Sequence, residues 1–200
     1  MWLVQRKEFE MSMEMLEKTA ECLRKRGFGV VCCATAAEAA DHVMKDAASA
    51  ATIGQGGSVT LKQLGLPEKL AAVGKTPERK TAVDLFLLSA NALTADGRIV
   101  NIDGNGNRVG ASINGPKKVV YVIGRNKIVE GGVDDAIARI KRCACPPNCR
   151  RLGKNTPCAA TGVCADCDSP DRICKVTVVF DRKPTGIACE VVLVDEELGY

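Results

Sequence analysis

Two hundred residues with 46% hydrophobic and 26% charged content describe an ordinary globular chain, not a disordered one. The formal charge of +4 is mild, and one Trp, two Tyr and four Phe leave an interior that must be mainly aliphatic. No run approaches the roughly 18 apolar residues of a membrane span, and Met1–Glu10 lacks the uninterrupted apolar stretch of a secretory signal, so the cytoplasm is the expected compartment.

From Ser12 to Arg26, Met13, Leu16, Ala20 and Leu23 recur at helical spacing, and Gly27 supplies the stop. Phe28–Cys33 reads as a short strand. Thr35 with Glu38 forms a candidate capping box that opens the next helix, through Ala39, Ala40, Val43 and Met44. Ala51–Ile53 is a brief strand, followed by a helix from Ser58 to Val73 that Gly65 and Pro67 are placed to break. This alternation argues for parallel strands covered by helices. Asp84–Leu88 and Arg98–Ile102 are further strands, and Lys118–Ile123 is strongly β-forming and expected at the sheet centre. Asp134, Asp135, Lys141 and Arg142 match the dipole of a helix that Pro146 and Pro147 are expected to stop. Lys175–Phe180 and Ile187–Val194 read as a hairpin at the sheet edge, joined through Pro184 and Gly186. No repeat or linker divides residues 1–200, so a single α/β domain is expected.

The basic residues form short patches without the interleaved aromatics that stack bases, so nucleic acid is not an expected partner. Cysteine is anomalous: 11 residues, an odd number, in a chain too large to need a disulfide framework. Cys158, Cys164, Cys167 and Cys174 have the spacing C-x5-C-x2-C-x6-C in a turn-rich segment. Four soft thiolates suit a [4Fe–4S] cluster or tetrahedral zinc, and ligation would offset the ordering entropy of so polar a loop. The cluster is the favoured expectation, because only Cys164 and Cys167 form the short pair usual at structural zinc. Cys143, Cys145 and Cys149 precede them, extending the cysteine-rich module over residues 143–174, and one could replace a ligand of the later set. The plainer reading is free, buried thiols.

Gly54-Gln-Gly-Gly-Ser-Val-Thr60 delivers glycine-rich backbone into a helix start, where free N–H groups receive phosphate or carboxylate. Gly54, Gly56, Gly57, Ser58 and Thr60 are therefore candidate ligand-binding residues, against the plainer reading of a tight turn capped by Ser58. A second polar set comprises Asn91, Thr94, Asp96, Asn101, Asp103, Asn105, Asn107 and Arg108. Arg108 suits an anion, Asp96 or Asp103 proton transfer, and Asn105 and Asn107 ligand binding, although Asn and Asp also shape turns. Asn126 and Lys127 follow the central strand, where open α/β sheets place ligands, so Lys127 joins the catalytic candidates, against the plainer reading of a solvated loop charge. His42 lies in a helical pattern without a partner motif and reads as a surface side chain.

Together these segments resemble the lactate-utilisation (LUD) domain family. The resemblance rests on Gly54–Thr60, Leu88-Ser-Ala-Asn-Ala-Leu-Thr-Ala-Asp-Gly97, Asn101-Ile-Asp-Gly-Asn-Gly-Asn-Arg-Val-Gly110, Gly115-Pro-Lys-Lys118, Val122–Val129 and the Pro157–Cys174 segment. It implies a three-layer α/β/α sandwich of the NagB/RpiA/CoA transferase-like superfamily, with a mainly parallel sheet. It also implies a role in oxidising lactate or a related small organic acid, beside iron–sulfur and oxidoreductase partners. The alternative is a sugar-phosphate or acyl-group enzyme whose cysteine module is structural zinc or free thiols. Either way the expected ligand is a small anion. The nucleophilic glutamate that a CoA-transferase needs is missing around Gln55 and Gln63.

Overall fold

The computed structural model describes residues 2–78 and 80–200, with side chains from Met13 onward, Arg79 excepted. The reading of Met1–Glu10 rests on side chains outside that range.

In chain order the strands are β1 (Gly29–Cys33), β2 (Ile53–Gln55), β3 (Leu85–Leu88), β4 (Ala92–Thr94), β5 (Ile99–Asp103), β6 (Lys118–Gly124), β7 (Ile128–Val129), β8 (Val176–Phe180) and β9 (Ala188–Val194). The helices are α1 (Trp2–Lys25), α2 (Ala36–Ser49), α3 (Val59–Gln63), α4 (Leu66–Ala72), α5 (Asn107–Ile113), α6 (Val133–Arg139), α7 (Cys145–Arg151) and α8 (Pro157–Thr161). Five strands form the main sheet in the order β1-β9-β6-β3-β2, and every pair in it is parallel.

Side chains alternate across that sheet, and both faces are buried, which explains the nearly continuous apolar runs of its strands. Leu85, Leu87, Val120, Val122, Val192 and Val194 face α2, α3 and α4, meeting Val43, Leu61 and Leu70. Phe86, Leu88, Val119, Tyr121, Ile123 and Leu193 face the other way, against Leu16, Ala20 and Leu23 of α1. Each such fully buried side chain contributes about 1.5–3 kcal/mol. A mainly parallel sheet flanked by helices is thus the architecture.

A second sheet, ordered β7-β4-β5-β8 and mostly antiparallel, lies on the α1 side. Its Leu93, Ile99 and Phe180 join the core of the first sheet. Its Ala92, Val100 and Ile102 pack against Ala136 of α6 and against Ile140 and Ala144.

Two sequence expectations fail here for identifiable reasons. The β8 and β9 segments do not form an edge hairpin: β8 pairs with β5, and β9 sits between β1 and β6. Val191 to Val194 are wholly buried, as a central parallel strand requires, and residues 181–187 cross between the sheets. Nor do Pro146 and Pro147 end the helix. A wide π-helical turn over Ile140–Ala144 leads into α7, and the prolines occupy its first turn, where a missing N–H costs nothing. The break after α3 does fall at Gly65, whose φ of 65° lies in the left-handed region.

Candidate functional site

Parallel strands deliver their carboxyl ends to one edge of the sheet, and ligands of open α/β sheets sit there. Here the segments after β2, β3, β6 and β9 border one cavity of about 470 Å³, lined among others by Gly56, Ser58, Ser89, Arg108, Lys127 and Gly199. That volume suits a small ligand.

The glycine-rich turn and the asparagine-rich loop meet on this cavity. Gly56 is necessary for the meeting, because a Cβ there would stand 2.5 Å from Cγ and 2.9 Å from Cδ of Arg108. Gly57, Ser58 and Thr60 also line it, whereas Gly54 lies within β2, where a Cβ would be 2.6 Å from the Phe86 ring. Gly54 therefore serves packing. Ser58 caps α3, accepting a hydrogen bond from the Leu61 N–H at 3.3 Å.

Asp103, at the end of β5, shapes the second loop. Its carboxylate accepts from the backbone N–H groups of Asn105, Gly106 and Arg108 at 3.2, 3.3 and 3.2 Å. It also pairs with Arg108 Nε at 3.3 Å. Arg108 Nη2 donates to the Ile102 carbonyl at 2.9 Å and to Asn91 Oδ1 at 3.4 Å, and Nη1 has no hydrogen bond among the described residues. Asn105 and Asn107 line the cavity with side-chain amides that have no partner among the described residues.

Lys127, in a short 3-10 turn just past β6, is the most unusual group in the site. It is only 4% exposed, and its ammonium donates to Thr60 Oγ1 and Ser89 Oγ, both at 2.8 Å. Among the described residues no carboxylate pairs with it. Burial pushes the amine down to about 7, and the charges of Arg139 and Arg108 act in the same direction. Residues 195–200 close over this point. Thr60 Oγ1 donates to the Leu198 carbonyl at 3.3 Å, and Asn126 Oδ1 accepts from the Leu198 N–H at 3.1 Å. Buried Arg139 ties the wall together by donating to main-chain oxygens of Asn91, Tyr200 and Asn126 at 2.7, 2.9 and 2.9 Å. Ser89, Arg139 and the 195–200 segment were not anticipated from sequence.

Asp96 and Thr94 lie elsewhere. The Asp96 carboxylate belongs to an ion network with Arg26, Arg98 and the Thr94 hydroxyl, and does not line the cavity. Asn91 and Asn101 join strand ends, Asn101 Oδ1 accepting from the Asn91 N–H at 2.9 Å and Asn91 Oδ1 from the Ile102 N–H at 2.9 Å.

The iron–sulfur expectation is overturned. Among the described residues, only one group of three or more His, Cys, Asp or Glu side chains brings its ligand atoms within 4.8 Å of one another: His42, Asp46 and Glu190, without a cysteine. The four thiols of Cys158, Cys164, Cys167 and Cys174 form no such group, and the cluster-dependent reading of lactate oxidation falls with them. All eleven cysteines are free. Cys145 and Cys149 of α7 pack near Cys158 of α8, and Cys145 and Cys174 line the cavity. Burial pushes the Cys145 thiol up to about 12, with Cys174, Cys164, Cys149 and Cys158 adding to it.

The nitrogen and oxygen donors of the triad are of a zinc type. They do not fit an ion as they stand, because Lys118 Nζ already lies 2.8 Å from both Asp46 Oδ2 and Glu190 Oε2. His42 Nε2 is hydrogen-bonded to Glu190 Oε1. An ammonium thus takes the place between the carboxylates. His42 is accordingly half-buried and paired, not a plain surface side chain.

Fold and cavity define an α/β protein with a ligand-sized cavity at the carboxyl ends of a parallel sheet. Residues 16–194 match the LUD domain model, and the chain belongs to the LUD domain family. Its fold is similar to that of a DUF162 family protein from Deinococcus radiodurans, with 14% sequence identity, a TM-score of 0.54, and coverage of 92% of this chain and 97% of that one. No curated protein matches the chain.

Proposed function

We propose that this LUD-domain chain is an enzyme acting on a small sugar-phosphate or acyl anion, with proton transfer at Lys127. One observation carries the reading: a buried amine with hydroxyl partners but no carboxylate partner among the described residues, at the strand-end cavity. An amine titrating at about 7 holds both protonation states at neutral pH, as a general acid–base group should. Turn backbone at Gly57, with Nη1 of Arg108, supplies donors for the anionic group, the Gly56 N–H being held by the Leu87 carbonyl at 3.2 Å. Asp103 keeps Arg108 and its loop in place. Neutral Lys127 takes a proton from the hydroxyl-bearing carbon beside the substrate carbonyl; the C–H electrons form the C=C bond of an enediolate and the carbonyl π pair moves onto its oxygen. The ammonium then returns the proton to the former carbonyl carbon, while the hydroxyl proton of the first carbon passes to the new alkoxide oxygen. Thr60 and Ser89 orient the amine throughout.

The cysteine segment then acts as a wall of free thiols, and eleven free thiols support a reducing compartment such as the cytoplasm. Strand-end placement of the site supports kinship with the NagB/RpiA/CoA transferase-like superfamily. The test is deuterium exchange in heavy water, with a panel of aldose and ketose phosphates and acyl phosphates followed by NMR. Deuterium should enter beside the carbonyl of at least one compound, and Lys127→Met should stop it. Exchange no faster than the protein-free blank across the panel rejects the reading.

A further inference from the structure

The cavity does not end at Lys127 and Arg108. It is also lined by α7, the turn after it and the segment before β8, which carry Arg151, Lys154 and Lys175. Among the described residues neither Lys154 nor Lys175 has a side-chain partner, although Lys154 is half-buried. Arg151 is held only by a neutral group, donating to Asn148 Oδ1 at 2.6 and 3.2 Å. Arg172 is already engaged, donating to the carbonyls of Cys174 and Cys167 and to Asp166 at 2.8, 2.7 and 2.8 Å. The cavity thus has six cationic side chains (Arg108, Lys127, Arg151, Lys154, Arg172 and Lys175) against two carboxylate side chains, Asp103 and Asp171, among the described residues. Both carboxylates are occupied, Asp103 by Arg108 and loop N–H groups and Asp171 by the Asn155 N–H at 2.9 Å. A cleft lined by one sign of charge concentrates ligands of the other. The lining also includes uncharged side chains, among them Ile140, Ala144, Cys145, Leu152, Ile173 and Cys174.

We infer that Arg151, Lys154 and Lys175 form a second anion subsite, and that the substrate is a dianion with one anionic group for each subsite. The inference rests on the reading of the Lys127 end as the first anion subsite. Close approach of the cysteine segment makes the arrangement possible. Gly104 admits the Ile173 backbone, whose carbonyl would stand 2.9 Å from any Cβ there, and Lys175 N–H donates to the Asp103 carbonyl at 3.0 Å. The second subsite is therefore built onto the first.

Calorimetric titration of the full chain with hexyl phosphate and with hexanediol bisphosphate separates the two subsites, because the probes differ only in the second phosphate. The bisphosphate should bind at least about tenfold more tightly, the order expected of charge-assisted contacts to two ammonium groups. Lys154→Met with Lys175→Met, at side chains that hold nothing else, should bring the bisphosphate to the affinity of hexyl phosphate. Lys127→Met should weaken both probes. Equal affinity of the two probes, or an advantage that survives the double substitution, overturns the second subsite while leaving the first. Binding of neither probe overturns both.

Discussion

One strand carries a lysine near each end, and the two meet opposite electrostatic fates. At the start of β6, Lys118 lies between Asp46 and Glu190. Burial opposes its charge, but hydrogen bonds to those carboxylates prevail and raise its pKa. Just past the end of the same strand, Lys127 meets two hydroxyls and the fields of Arg139 and Arg108, and its pKa falls to about 7. Lys118 is neutralised within the fold and has no need of a ligand. Lys127 is not, and an anion arriving in the cavity would supply the charge the chain withholds. Counter-charge, more than burial, separates a structural lysine from a candidate reactive one.

The largest effect should come from removing the uncompensated amine. Lys127→Met should stabilise the protein at pH 6, by an amount of the order of 5 kcal/mol if the whole shift from 10.5 to about 7 is expressed. The unfolded amine stays protonated up to its ordinary value while the folded one loses its proton near 7. The penalty is thus complete below about 7, fades as pH rises through this window, and is gone above about 10.5. Urea melts at pH 6, 8 and 10 should show the gap between variant and wild type closing.

At the other lysine the sign reverses. Glu190→Gln should destabilise by about 1–2 kcal/mol at neutral pH, a modest figure because the network is partly exposed. The Glu190 pKa is lowered, since hydrogen bonds from Lys118 and His42 outweigh burial. Its contribution is present above the ordinary carboxylate value and is lost as pH falls through the lower folded one. Acid melts should therefore bring variant and wild type together.

Gly56→Ala tests the anion end with a smaller change. Its Cβ must displace the Arg108 side chain, so phosphate affinity should fall about fivefold to tenfold, roughly 1 kcal/mol, with little change in melting temperature. Smallest of all, Asp96→Asn should alter stability by less than about 1 kcal/mol and leave phosphate affinity as it is, because its ion network lies away from the cavity.

Much of the candidate site was legible because strand-end signals are local. Gly54–Thr60, Asp103–Arg108 and Lys127 each stand where an apolar run gives way to turn chemistry, and the parallel sheet brings those turns to one edge. What escaped was long-range. His42 and Lys118 meet Glu190 across 148 and 72 positions, and no local spacing announces such a contact. Ser89 and Arg139 matter only through what they touch. Strand β9 was misplaced because Pro184 and Gly186 carry the signature of a hairpin, while its four consecutive buried apolar residues carry that of a central strand. The cysteine spacing suggested convergence, yet spacing fixes proximity along the chain and not the direction of each sulfur.

The central claim is that Lys127 is an uncompensated amine awaiting an anion, and a nitrogen-15 NMR titration of its Nζ in the intact chain tests it most directly. A midpoint near 7 is expected, moving upward on adding inorganic phosphate, because an anion bound beside the amine favours its protonated form. A midpoint near the ordinary 10.5, unmoved by phosphate, would contradict the claim.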